Sequence, residues 1–239
     1  MLVDGINVVR ELLKASVKVE KIVTVESDNA EIVAIVDKAR AMGVKLEILE
    51  KKDFDRKINF KNQGIVAYIP DFKYCDIDKI MLTAERRDEK PFIVILDGIT
   101  DPHNLGAIIR TCECAGVHGV IIPQNRACEV NETVYRTSAG AVIHMNIAMV
   151  TNITRTIKDL QQRGVWVYAL EAGNKKIYEA DFTYPTALVV GSEGKGVSRL
   201  VKETVDEVLS LDMFGQVNSL NASNASAIAV YEVVRQRSK

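Results

Sequence analysis

The chain predicts an α/β fold: a mostly parallel sheet flanked by helices in its C-terminal part, preceded by a small α/β domain. Three observations carry this. From Phe92 onward, short apolar runs alternate with segments of helical period, in the order β–α–β–α. Several of those runs, Ile93–Leu96 and Ala187–Val190 among them, are apolar without alternation, as strands covered on both faces are. Ahead of them, Glu85-Arg-Arg-Asp-Glu-Lys-Pro91 concentrates charge before a proline, the composition of an inter-domain connection. The division expected is 1–70, a linker over 71–90, and 91–239.

Within the first part, Asp4 is placed to cap a helix from about Ile6 to Ala15, with Val9, Leu12 and Leu13 on one face. Lys21–Val25 reads as a strand, and Ile32, Val33, Ile35, Val36 and Ala39 recur at helical spacing before Gly43, a C-cap residue. Val44–Leu49 and Gly64–Ile69 are further strands, and a short helix falls near Ile77–Ala84. In the second part, strands fall near Phe92–Leu96, Gly119–Ile122, Met145–Val150, Val165–Leu170, Ala187–Val190 and Glu207–Leu211. Helices fall near Asn104–Ala115, Asn131–Ala139, Ile153–Arg163 and Leu220–Arg237.

Composition narrows the function. Apolar residues make up 47% and charged residues 26% of the 239, enough for a sizeable core. Lys and Arg number 31 against 32 Asp and Glu, so a globally basic nucleic-acid binder and an acidic disordered tail are both excluded, while a local basic patch is not. No stretch approaches the ~18–20 apolar residues of a membrane span, and no signal peptide is visible at the N-terminus. Cys112-x-Cys114 is too tight for a metal knuckle, so Cys75, Cys112, Cys114 and Cys128 read as reduced thiols of a cytoplasmic protein without a metal.

Three segments at the carboxyl ends of strands, where such sheets bind ligands, carry the chemistry. The first, Asp101-Pro102-His103-Asn104-Leu105-Gly106, opens a helix that bears Arg110. An Asn and an Arg there suit a hydroxyl and a phosphate or ribose, although a capped helix with a surface arginine uses the same residues. The second, Gly191-Ser192-Glu193-Gly194-Lys195-Gly196, permits close backbone approach. It fits neither nucleotide fingerprint: Val197 stands where a P-loop needs Lys, and Arg199 where the third dinucleotide-binding glycine belongs. Glu193 would repel phosphate and accept from an amine or hydroxyl. The third, Leu211-Asp212-Met213 through Ser219-Leu220-Asn221-Ala222-Ser223, leads into the last helix with a density of Ser and Asn that suits capping or binding.

In this order and spacing the three segments resemble the SpoU (TrmH) family of S-adenosylmethionine-dependent RNA 2'-O-ribose methyltransferases over about the last 150 residues. Gly5-Ile-Asn-Val-Val-Arg-Glu-Leu-Leu and Gln63-Gly64-Ile-Val-Ala also resemble that family's small RNA substrate-binding domain. The likeness is to the bacterial 23S rRNA guanosine-2'-O-methyltransferase (RlmB-like) branch, with a tRNA 2'-O-methyltransferase or a non-catalytic RNA-binding or ribosome-assembly protein as alternatives. The resemblance implies a trefoil-knotted (SPOUT-like) domain, a homodimer, and S-adenosylmethionine as methyl donor, held around Gly191, Leu211, Met213 and Leu220. It carries Asn104, Arg110, Glu193, Ser219 and Asn221 over as catalytic positions, with rRNA favoured over tRNA as partner. Deprotonating a guanidinium is costly, so Arg110 suits positioning the ribose and its phosphate and stabilising alkoxide charge better than acting as a base. Where family members often have Ile-Pro-Met, this chain has Leu211-Asp212-Met213, and loss of the proline implies a looser loop.

One basic run remains, from Lys51 to Lys61, with Lys51, Lys52, Arg56, Lys57 and Lys61 interleaved by Phe54 and Phe60. It reads either as a solvated helix with its aromatics in the core or, inside a substrate-binding domain, as an RNA contact made by Lys51, Lys52, Arg56 and Lys57.

Overall fold

The computed structural model describes residues 1–60 and 62–238, and of Asn174 the backbone alone. The chain forms two compact units. The first comprises Met1–Lys73 and Val130–His144, and the second Tyr74–Glu129 and Met145–Lys239.

The first unit has a four-stranded sheet of β1 (Leu2–Asp4), β2 (Lys21–Val25), β3 (Lys45–Leu49) and β4 (Ile65–Tyr68), in the order β1-β4-β2-β3. The β2–β3 pair is parallel, and β4 runs antiparallel to both β1 and β2. Helix α1 (Ile6–Lys14) buries Val8 beside the expected Val9, Leu12 and Leu13, and α2 (Ala30–Ala41) buries Ile32, Ile35, Val36 and Ala39, whereas Val33, expected on the same face, is exposed. The third helix, α3 (Lys51–Lys57), turns Phe54 into a core with Val23, Ile58 and Val66.

Two expectations are revised here. Asp4 is not a helix cap: Gly5 takes that position without a side-chain cap, and Asp4 lies in β1 at 2% exposure. A buried carboxylate requires a partner, and Asp4 Oδ1 accepts from Arg136 Nε at 2.8 Å. That contact helps explain the second revision, in which residues 130–144 join the first unit. There α6 (Glu132–Thr137) buries Val134 and Tyr135, and His144 Nε2 lies 3.0 Å from Glu11 Oε2.

The second unit holds six parallel strands: β5 (Phe92–Asp97), β6 (Gly119–Pro123), β7 (Ile147–Val150), β8 (Trp166–Lys176), β9 (Thr186–Gly191) and β10 (Glu207–Ser210). Their order is β10-β8-β9-β5-β6-β7. The chain builds outward from β5 to β7, crosses to the other side for β8 and β9, and ends at the edge with β10. The switch of direction therefore falls between β5 and β9, whose ends are aligned with Asp97 opposite Gly191.

Apolar runs without alternation do mark strands covered on both faces. Ile93, Ile95, Val167, Ala187 and Val189 pack with Ile80 of α4 (Ile77–Arg86), with Ile157 and Leu160 of α7 (Ile153–Gln162), and with Val201 of α8 (Arg199–Lys202). The alternate residues Val94, Leu96, Leu188 and Val190 are equally buried. The last helix, α9 (Ala222–Arg237), packs on β9 and on α5 (Pro102–Cys114). Residues 71–90 are thus no free linker, because α4 occupies much of that stretch and Ile80 and Ala84 are fully buried. Among the described residues, no helix is long and apolar enough to cross a membrane.

The β6–α4 contact is tight enough to test. A Cβ added to Gly119 would lie 2.5 Å from Ile80 Cδ1. Gly119→Ala is expected to destabilise the protein by about 1–3 kcal/mol through overpacking, read as a lower urea midpoint at constant m. Adding Ile80→Val should recover part of that loss.

Candidate active site

The carboxyl ends of β8, β9 and β10 open onto a cavity of about 790 Å³, within the second unit. Its lining includes Gly191, Leu211, Met213 and Leu220, the four positions expected around a donor, and also Glu193, Ser219 and Asn221. Leu170 and Val190, paired neighbours in β8 and β9, add apolar surface. The volume falls in the range of roughly 300–1,000 Å³ usual for small-molecule sites.

Three side chains from separate loops meet at this site. Asn104, in the first turn of α5 and buried, donates from Nδ2 to Glu193 Oε1 at 2.9 Å. Asn221 donates from Nδ2 to Asn104 Oδ1 at 3.0 Å and also to Glu193 Oε1. The other end of the Asn221 amide caps α9, with Oδ1 accepting from Ser223 N at 2.9 Å and Ser223 Oγ at 2.5 Å. A donor on one side and an acceptor on the other leave that amide a single useful orientation. Capping and site-building, which read as rivals in the sequence, are here two halves of one side chain. The start of α5 is fixed in the same way, with Pro102 in its first turn and Asp101 Oδ1 accepting from His103 N at 3.0 Å.

The glycine loop follows β9. A Cβ at Gly191 would collide with the backbone of Gly196 and Val197, so the loop folds back over the strand end at a distance only glycine permits. Gly196 has φ +65°, and a Cβ there would strike the Glu171 carboxylate. Glu171 is a cavity residue that the sequence reading missed. Its Oε2 accepts from Val197 N at 2.8 Å, and it lies at the end of an apolar run with no motif around it. Ser198 N donates to Asp97 Oδ2 at 2.7 Å, joining the loops that leave the two strands at the switch point.

Two expected positions behave differently. Arg110 sits on the exposed side of α5, outside the cavity lining, and makes no ion pair among the described residues. Six residues after Asn104, it faces another side of the helix. The loop at Asp212 is not left untied by loss of the proline: Asp212 Oδ1 pairs with Lys176 Nζ at 2.7 Å, and Oδ2 accepts from Tyr178 OH at 2.8 Å.

The basic run belongs to the first unit. Lys51 and Lys52 are exposed and unpaired among the described residues, whereas Arg56 pairs with Asp53 at 2.8 Å and Lys57 with Glu47 at 2.5 Å. Lys21, with Lys57 after it, pulls the Glu47 carboxyl down to about 2, and Glu47 raises Lys57 in turn. Phe54 is fully buried and so takes the core role, while Phe60 is 41% exposed. Lys61 lies outside the described residues.

Comparison with known proteins places the chain in a family. The pattern of the SpoU rRNA Methylase family matches residues 91–231, and that of RNA 2'-O ribose methyltransferase substrate binding matches residues 2–75. A Bacillus subtilis protein named as a TrmH family tRNA/rRNA methyltransferase, YacO, is 39% identical over 98% of this chain and 95% of its own. A Staphylococcus saprophyticus protein named in the same way is 37% identical over 99% and 96%. The crystal structure of the SpoU methyltransferase AviRb from Streptomyces viridochromogenes, in complex with AdoMet, superposes with a TM-score of 0.82 at 24% identity. It covers 99% of this chain and 90% of AviRb, and it shares the fold. On the family pattern across the second half of the chain and near-full-length likeness to YacO, the protein belongs to the SpoU (TrmH) family of RNA methylases.

Proposed function

We propose that this protein is a cytoplasmic S-adenosylmethionine-dependent RNA 2'-O-ribose methyltransferase whose target is a guanosine of 23S rRNA. The observation that carries the reading is the Asn104–Glu193–Asn221 junction at a cavity lined by Gly191, Leu211, Met213 and Leu220. Apolar side chains beside backbone polar groups fit an adenosine, and the carboxylates of Glu171 and Glu193 suit a cationic sulfonium. The donor supplies an electrophilic methyl carbon. The ribose 2'-hydroxyl forms the new O–C bond, the S–C bond breaks, and the hydroxyl proton is released; the products are methylated RNA and S-adenosylhomocysteine.

The chain's own part is placement. Asn104 and Asn221 hold Glu193 through two amide donors, so its second oxygen keeps a fixed direction in the cavity lining. The Ser219 hydroxyl, in the cavity lining, orients the incoming ribose. Arg110, solvent-facing and without an ion pair among the described residues, engages the ribose and its phosphate and steadies alkoxide charge as the proton leaves. Alignment of oxygen with methyl carbon supplies much of the acceleration.

RNA capture belongs to the first unit, where Lys51 and Lys52 lead and Arg56 and Lys57 contribute from within their ion pairs. A homodimer and a C-terminal trefoil knot are part of the same reading. Phe214 at 95% and Val217 at 73% exposure, beside the exposed Leu220, support a covered surface in the functional assembly. Return of the chain from the edge strand β10 to α9, packed on β9 and α5 mid-sheet, supports the knot.

Two outcomes test this reading. Arg110→Ala and Arg110→Lys should each lower methyl transfer by about 10²-fold or more, with donor affinity within about twofold of wild type; near-normal turnover by either variant contradicts the role. Reversing charge at Lys51, Lys52 and Arg56 should weaken RNA binding about tenfold or more at low salt and leave donor binding intact by calorimetry. Equal loss of both would mean misfolding and not a lost RNA contact.

A further inference from the structure

We propose that Asp212, Lys176 and Tyr178 form a clasp that positions the donor loop, with Asp212 as the positioning residue on which donor affinity depends. The inference rests on the donor cavity proposed above. No helix or strand covers residues 211–221, yet that segment supplies Leu211, Met213, Ser219 and Leu220 to the cavity wall. Among the described residues, the side-chain hydrogen bond and the ion pair that tie 211–220 to the rest of the protein are both made by Asp212.

Its two oxygens have different partners, Lys176 Nζ at 2.7 Å and Tyr178 OH at 2.8 Å, so the carboxylate plane is fixed and not merely attracted. Lys176 is the last residue of β8 and pairs in register with Ser210, the last of β10; Tyr178 lies in the 3-10 turn that follows. The clasp therefore fastens the loop to the end of β8, beside the end of β10 from which the loop departs. Charge adds a second effect. Lys176 also lines the cavity, and Asp212 neutralises its ammonium there. Removing Asp212 would leave an unpaired cation in the wall of the cavity proposed to take the cationic donor. Lys176 first, then Tyr178, holds the Asp212 carboxyl below the usual carboxylate range, so the carboxylate stays charged at neutral pH.

The test uses the full-length protein, without RNA, as wild type, Asp212→Asn, Tyr178→Phe and the double variant. Hydrogen–deuterium exchange of the ligand-free protein reads the clasp itself: amides of residues 211–214 should exchange faster in both single variants, with the urea midpoint unchanged. Calorimetry with S-adenosylmethionine reads the consequence: each single variant should bind about three- to tenfold more weakly, and the double variant no more weakly than Asp212→Asn. With RNA added, donor KM should rise while kcat at saturating donor stays within about twofold, and Asp212→Glu should recover part of the affinity. Unchanged exchange at 211–214, or losses that multiply in the double variant, overturns the clasp. Wild-type protein that binds no S-adenosylmethionine overturns the donor reading on which it rests.

Discussion

The junction of Asn104, Glu193 and Asn221 is the constraint around which the second unit is organised. These side chains stand 89 and 28 residues apart along the chain, yet one carboxylate oxygen receives both amides. The arrangement requires that the start of α5, the loop after β9 and the start of α9 arrive at one point. Each of the three is anchored locally before it arrives: Pro102 and Asp101 set the first, close packing of Gly191 against Gly196 sets the second, and the Asn221 cap sets the third. The junction selects among loop conformations already narrowed by their own turns, which lowers the ordering entropy it must overcome.

Sheet order explains why the junction forms where it does. Strands β5 and β9 are neighbours although residues 98–185 separate them, and beyond the loops joined at their ends the chain leads to different helices, α5 and α8. Such a point of divergence leaves a crevice that no helix fills. The cavity lies beside this point, at the ends of β8, β9 and β10, and is lined by the segment from β10 to α9, which Asp212 fastens to the end of β8. Rigid strands, a folded-back glycine loop and a tied segment give a site whose walls are largely in place before any ligand arrives, as placement-driven catalysis needs.

Legibility in the sequence followed the range of the interactions. Strands β5 and β9 could be read because both their faces are buried, and α1 and α2 because their apolar spacing matches one turned face. The three-residue β1 could not be read, since its partner is β4, with Leu2 opposite Tyr68. The second half of β8, Gly173 to Lys176, is polar and glycine-containing, and it is a strand only because β10 pairs with it past a bulge. The assignment of 130–144 to the first unit depends on Arg136 reaching Asp4, a tertiary contact with no local signature. In the candidate site, family resemblance supplied Gly191, Leu211, Met213 and Leu220, while Glu171 and the partners of Asp212 needed the packed structure.

In the function proposed, this cavity and junction place a ribose hydroxyl against a donor methyl. The most direct measurement incubates wild-type protein with methyl-labelled S-adenosylmethionine and total RNA lacking its modifications, then maps the label to a nucleotide and an atom. The account predicts label on a ribose 2'-oxygen of 23S rRNA, at one guanosine, abolished by Asn104→Ala. Label on tRNA would move the target while keeping the chemistry. Label on a base, or RNA binding with no transfer at all, would contradict the account.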